Sequence, residues 1–286
     1  MKMPSALASW LQVAPLATIL LLFFGIPMLV DVVVSFFDFD RVQIIPTFTL
    51  DNYLELLQSP LTLRLYAQSL KFALIVWAIT LCIGFTVAYF LVFHVRSLIW
   101  QIGLFLLCTV PFWTSNIIRM ISWIPFLGRN GIFNRALIAL GLTGQPLDFL
   151  LFSDFAVVVA YVHLFTLFMI APIFNSMARI DKTLIEAAHD AGASRWRVVY
   201  EIVLPLSKTG IAMGSIFVFT LVMGDFFVVK VMSGGQSGSV TSAMANEIAS
   251  LQYPPAAASA VVLVLVVTTV VAAILRLVDV RRELIG

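Results

Sequence analysis

The stretch 186–205, EAAHDAGASRWRVVYEIVLP, decides how this chain reads. It carries two arginines, three acids and a histidine in a protein that is 61% hydrophobic and 11% charged. Taken with the residues just before it, it has the pattern of a short amphipathic helix. Asp181 stands where an N-cap belongs, and Lys182 opens the first turn. Leu184, Ala187, Ala188 and Ala191 recur at helical spacing and form one narrow apolar face of mostly small side chains. Small side chains let a second surface approach the backbone closely. Gly192 supplies the left-handed residue that commonly closes a helix. Ser194 then caps a second helix, RWRVVYEIV, and Pro205 stops it and opens the next apolar run. A helix of this kind either lies solvated or sits in a groove on a partner. Periodicity alone does not choose between them.

The surroundings are those of a membrane protein. A mean hydropathy of +1.05 with 24 Phe lies far outside soluble composition. Charge-free stretches of about twenty residues recur, the length a helix needs to cross roughly 30 Å of hydrocarbon. A β-barrel would instead alternate in short segments. The expected fold is an all-α integral membrane protein with six transmembrane helices. The spans read as Trp10 to Phe37, Ser69 to Phe93, Leu98 to Ile118, Asp154 to Met177, Leu204 to Met232 and Ala256 to Val278. The first is too long for a cleaved signal and reads as an uncleaved anchor. The region 119–153 is apolar but interrupted by Pro125, Gly128, Gly131, Gly141, Gly144 and Pro146, and reads as short helices at the interface.

With both termini inside, the inner segments hold Lys2, Arg96, Arg179, Lys182, Arg195, Arg197, Lys208, Arg276, Arg281 and Arg282. The outer ones hold Arg41, Arg64, Lys71, Arg119, Arg129, Arg135 and Lys230, spread over longer segments. The density of Lys and Arg therefore favours cytoplasmic termini and places 186–205 in the cytoplasm.

Several chemistries are excluded. There is no GxxxxGK[ST], HExxH or GxSxG, and no Ser/His/Asp or Cys/His set assembles on one side. The SGGQSGS at 233–239 reads as a flexible turn. Cys82 and Cys108 lie in apolar runs without CxxC spacing and read as buried small hydrophobes.

Ionisable groups within hydrocarbon are costly and usually face a cavity or a partner. Asp225, in LVMGDFFVV, falls about two-thirds along the fifth span. It is a candidate for the substrate path or for pairing with a base. Asp31 reads as interfacial. PFWTSN offers Phe112, Trp113 and Asn116, as an aromatic belt or as a gate and substrate contact. His163 reads as a hydrogen-bonded helix-packing residue. Arg119 and Arg129 fit a solvated outer face or a dock for an outer protein.

The residues also carry a resemblance. Glu186-Ala187-Ala188, then Gly192, Ile202 and Leu204-Pro205 at their offsets look like the full EAA signature. That signature marks the membrane subunits of ATP-binding-cassette importers of the type I fold. VPFWTSNIIR (110–119), GIFNRALIALGL (131–142) and GDFFVVKVMSGG (224–235) resemble the spermidine/putrescine permease branch. The resemblance implies a first helix and outer segment at 1–67, a permease domain at 68–278 with its coupling loop at 182–205, and a cytoplasmic tail at 279–286. It implies that Glu186, Ala187, Ala188 and Gly192, with Leu184 and Ala191 on the same face, seat the helix in an ATPase cleft. Asp225 and Phe226, with Phe112, Trp113 and Asn116, become the expected substrate path. The chain itself is expected to be non-catalytic and to bind no cofactor, with ATP and Mg held by separate ATPase subunits.

Expected partners are a second homologous permease, two cytoplasmic ATPases, a periplasmic or lipid-anchored solute-binding protein and membrane lipid, with no nucleic acid. The expected place is the bacterial inner membrane. The expected cargo is a polyamine; an opine or aminophosphonate is the alternative within the class. An ion-coupled secondary transporter is the alternative outside it, and would leave the EAA segment unexplained.

Overall fold

The computed structural model describes residues 5–40 and 43–278. Lys2, Arg41, Arg281 and Arg282 of the charge count, and the expected tail 279–286, lie outside the described residues. Residues up to Arg64, with Ala243–Leu265, make one compact unit; Leu65–Ser242, with the residues from Val266 onward, make the other.

The fold is helical, and the described residues hold four spans, or six when each of two bent helix pairs counts as one. Span one is Gln12–Val34, span two Pro60–His94, span four Asp154–Met177 and span six Tyr253–Arg276. Span three is Leu98–Trp113 continued by Asn116–Ala139 after a bend of 91°. Span five is Arg195–Leu206 continued by Lys208–Gly224 after a bend of 67°.

Several boundaries differ from expectation: span two begins at Pro60 rather than Ser69 and span five at Arg195 rather than Leu204, and two ends differ for a local reason. The first helix of span three stops at Trp113 and the chain bends before Asn116, where one unbroken run to Ile118 was expected. Thr114 donates both its N–H (3.3 Å) and its hydroxyl (2.8 Å) to the Pro111 carbonyl, closing a turn that competes with the helix. Span five stops at Gly224, not Met232, and a separate helix, Phe227–Met232, follows. At its start, Pro205 does not end the preceding helix. The chain passes through a π turn, Val199–Val203, and a short helix, Leu204–Leu206, before bending at Ser207.

The first unit holds span one and a feature the sequence reading missed, a two-stranded antiparallel hairpin of β1 (Phe37–Asp40) and β2 (Gln43–Phe48). Asn52, on helix Asp51–Gln58, donates to the carbonyls of Ser35 (3.0 Å) and Phe37 (2.9 Å), and Phe36 stacks on Phe48 at 5.1 Å. These bonds anchor the hairpin to the helix beside it. Nothing described in its own unit buries span one, although Phe23, Phe24 and its leucines are large and apolar. Its apolar faces are therefore presented to lipid or to another chain.

The second unit is built around span four. Span five lies against it through Gly210 and Gly214. A Cβ on Gly210 would stand 2.4 Å from the Pro172 carbonyl oxygen, and one on Gly214 would stand 2.7 Å from Met169 Sδ. A Cβ on Gly84 of span two would stand 2.7 Å from Cγ of the same Met169. Apolar side chains gain little by leaving lipid for one another, so this close backbone approach is what holds the spans together. Trp77 adds a cross-link by donating to Ser215 Oγ at 2.8 Å.

Candidate functional site

Helix Lys182–Asp190 forms as its residues dictate. The Asp181 carboxylate accepts from the Thr183 N–H at 3.0 Å, and the amide and hydroxyl of Thr183 hold that carboxyl below the usual carboxylate range. Gly192 adopts φ +82°. Its N–H donates to His189 O (2.9 Å) and the Ala193 N–H donates to Ala188 O (2.9 Å), the paired bonds of a Schellman closure. Ser194 caps the next helix through the Arg197 N–H at 3.4 Å.

Leu184, Glu186, Ala187 and Ala191 are exposed, and Ala188 is half-buried. Trp196 and Tyr200 extend the exposed surface, with ring centroids 6.5 Å apart. Among the described residues, then, most of the apolar face is left uncovered.

A cavity of about 960 Å³ begins at this elbow. Asp181 and Leu184 line one end. Pro172, Asn175, Gly210 and Met213 of spans four and five line the walls. Phe112, Phe168 and Phe217 line the other end.

Asp225 sits in the break between Gly224 and Phe227, not within a continuous span. Its Oδ1 accepts from the Val228 N–H at 2.8 Å and the Tyr161 hydroxyl at 3.3 Å, while its carbonyl accepts from the Thr241 hydroxyl at 2.7 Å. It is thus the cap of helix Phe227–Met232 and a junction to span four. Neither Asp225 nor Phe226 lines the cavity that Phe112 lines. Trp113 is 76% exposed. Asn116 accepts from Arg119.

Other expectations are corrected by packing. Arg119 is only 7% exposed, so it offers no outer docking face; Arg129 is exposed and pairs with Asp148 at 3.5 Å. Cys82 is exposed rather than buried. The 233–239 turn is held rather than loose, because Ser237 donates to Asp154, which also accepts from Gln68 (2.9 Å) and Lys71 (2.8 Å). His163 accepts from the Trp123 indole at 3.0 Å, as a helix-packing histidine does. The GIAMG at 210–214, which positions both walls of the cavity, went unread in the sequence. The small-xxx-small spacing was the available signal.

Residues 102–283 match the family described as the binding-protein-dependent transport system inner membrane component. The chain belongs to that family. The permease is 36% identical to the spermidine/putrescine transport system permease protein PotB of Salmonella typhimurium strain SL1344, over 76% of this chain and 75% of that protein. It is 36% identical to PotB of Escherichia coli K12, over 76% and 78%. It is 32% identical to PotB of Haemophilus influenzae, over 83% and 82%. Among solved structures it superposes on a chain of a bacterial alginate ABC transporter, in complex with an alginate pentasaccharide-bound periplasmic protein. The TM-score is 0.75 at 17% identity, covering 93% of this chain and 92% of that one. The permease thus shares the fold of importer membrane subunits, and is a multi-pass inner-membrane protein.

Proposed function

We propose that this permease is one of two homologous membrane subunits of an ATP-driven polyamine importer, carrying spermidine or putrescine. The observation that carries the importer reading is the elbow at 181–205. It is a capped, closed helix whose small-residue face is exposed and adjoins one end of the cavity between spans four and five. A surface of that shape suits a cleft on a cytoplasmic ATPase. The similarity to three PotB proteins supports the cargo.

In this reading both termini are cytoplasmic, and two ATPase subunits bind ATP and Mg. A solute-binding protein delivers the amine from the other side. Closure of the ATPases moves the helix carrying Leu184, Glu186, Ala187, Ala188, Ala191 and Gly192. Span four is fused to its start and span five to its end, so the motion reaches both walls of the cavity. Asp225 and Phe226 lie outside that cavity, and in this reading Asp225 supplies a carboxylate for the amine on a further stretch of the path, with Phe112, Trp113 and Asn116 along the way.

The test is ATP-driven uptake of labelled putrescine and spermidine into proteoliposomes holding the complete importer. Glu186→Lys and Gly192→Val should each abolish uptake while the subunits still co-purify. Unchanged uptake in both assembled variants rejects the coupling role. Amine uptake absent from the wild-type complex rejects the cargo.

A further inference from the structure

The cavity ends in three rings from three different elements. Phe112 comes from the turn Val110–Trp113, Phe168 from span four and Phe217 from span five. Phe112 meets Phe168 edge-on with centroids 5.4 Å apart, and Phe168 meets Phe217 at 6.4 Å. Phe112 and Phe217 remain about half exposed, as rings do when they face a space that this chain encloses only in part.

Behind Phe112 stands Arg119. Its guanidinium carbon lies 5.9 Å from the centroid of the Phe112 ring. Its one side-chain hydrogen bond goes to Asn116; its Nε has no partner, and no carboxylate pairs with it among the described residues. Burying a guanidinium without a counter-ion is expensive, and an apolar side chain would fill the same space at lower cost. What the charge gains here is the face of the Phe112 ring, a contact that strengthens when water is excluded.

The placement of the two residues matters. Phe112 precedes the 91° bend of span three and Arg119 follows it, so their contact spans the bend. A change of the bend angle therefore changes the distance between guanidinium and ring, and opening the bend draws them apart.

We propose that Phe112, Phe168 and Phe217 are this chain's share of the seal that closes the transport path at the end away from helix Lys182–Asp190, and that Arg119 is the positioning residue that latches Phe112 into it. The inference rests on the transport reading above. It adds which residues hold the path shut and how that hold is released.

The test is passive flux through the complete importer in proteoliposomes without ATP, with entrapped potassium and entrapped putrescine as probes. Phe112→Ala and Phe217→Ala, on separate elements, should each raise passive efflux about tenfold or more, the equivalent of at least ~1.4 kcal/mol of lost barrier. Phe112→Leu serves where an alanine variant does not assemble, since it keeps apolar volume and loses the ring face. Arg119→Met should leak as well, and Arg119→Lys should restore most of the tightness, because an ammonium still faces the ring. Wild-type potassium flux in the assembled Phe112 and Phe217 variants overturns the seal. Equal flux in Arg119→Met and Arg119→Lys overturns the positioning role. A wild-type complex that fails to take up amine sinks the cargo assignment instead, and leaves the potassium comparison readable.

Discussion

Asp181 and Asp225 do the same local job in opposite settings. Each caps a short helix by accepting an N–H two or three residues on, at 3.0 Å for Thr183 and 2.8 Å for Val228. Around Asp181 the elbow's bonds stay within a few residues: Gly192 to His189, Ala193 to Ala188, Arg197 to Ser194. Around Asp225 the partners come from Tyr161, 64 residues earlier, and Thr241, 16 residues later. The first elbow is self-contained and exposed, so it can move with a partner as one piece. The second is a product of packing, and it moves only if span four moves with it.

Replacing Gly210 by Val strikes the packed end hardest. The new side chain meets the Pro172 carbonyl, and overpacking of this kind costs typically about 1–3 kcal/mol. The expected outcome is loss of the assembled complex, read as a lower yield and a lower unfolding temperature in detergent. Replacing Gly192 by Val strikes the self-contained end. A β-branched residue forced to φ +82° costs roughly 1–2 kcal/mol, and the cost falls only on the elbow. Unfolding temperature should fall by no more than a few degrees, with the complex still assembled, while ATP-driven uptake falls at least about tenfold. If the two variants lose assembly alike, the contrast between the ends is wrong.

Asp225 separates its two duties by substitution. Asparagine keeps an acceptor for Val228 and Tyr161 but removes the charge, whereas alanine removes both and costs about 1–2 kcal/mol from the lost cap and orphaned partners. Asp225→Asn should assemble normally and lose amine uptake. Retained uptake would leave Asp225 with structural work only.

The smallest effect belongs to Asp181. Its carboxyl is held below the ordinary range, so the folded helix favours the ionised form. The contribution is therefore full at neutral pH, above the unfolded value, and disappears as pH falls through the lowered folded value. The protection factor of the Thr183 N–H, its exchange rate corrected for the intrinsic pH dependence, should fall on acidification in the wild type more than in Asp181→Asn, whose cap does not titrate. Identical pH profiles would remove the charge from the capping account.

Much of this was legible beforehand because it was local. The Asp181 cap, the Gly192 corner and the Ser194 cap each depend on residue types a few positions apart, and the spans depend on apolar length. Their existence and order survived; their ends at Trp113 and Gly224 did not. Those ends are set where a turn at Pro111 and a carboxylate at Asp225 outcompete helix continuation. The hairpin Phe37–Phe48 escaped notice for a related reason: its alternation is short, and it is anchored by Asn52 outside the strands.

The sequence by itself determined that this chain crosses the membrane in helices and carries a self-capped polar elbow between two of them, because hydropathy and capping are properties of neighbouring residues. Only the tertiary structure decided what Arg119 faces, that Asp225 is a cap rather than a mid-span charge, and that Phe112, Phe168 and Phe217 meet. Those facts depend on where spans three, four and five touch, and glycine-mediated contact between helices is a matter of three-dimensional fit that no single stretch of sequence contains.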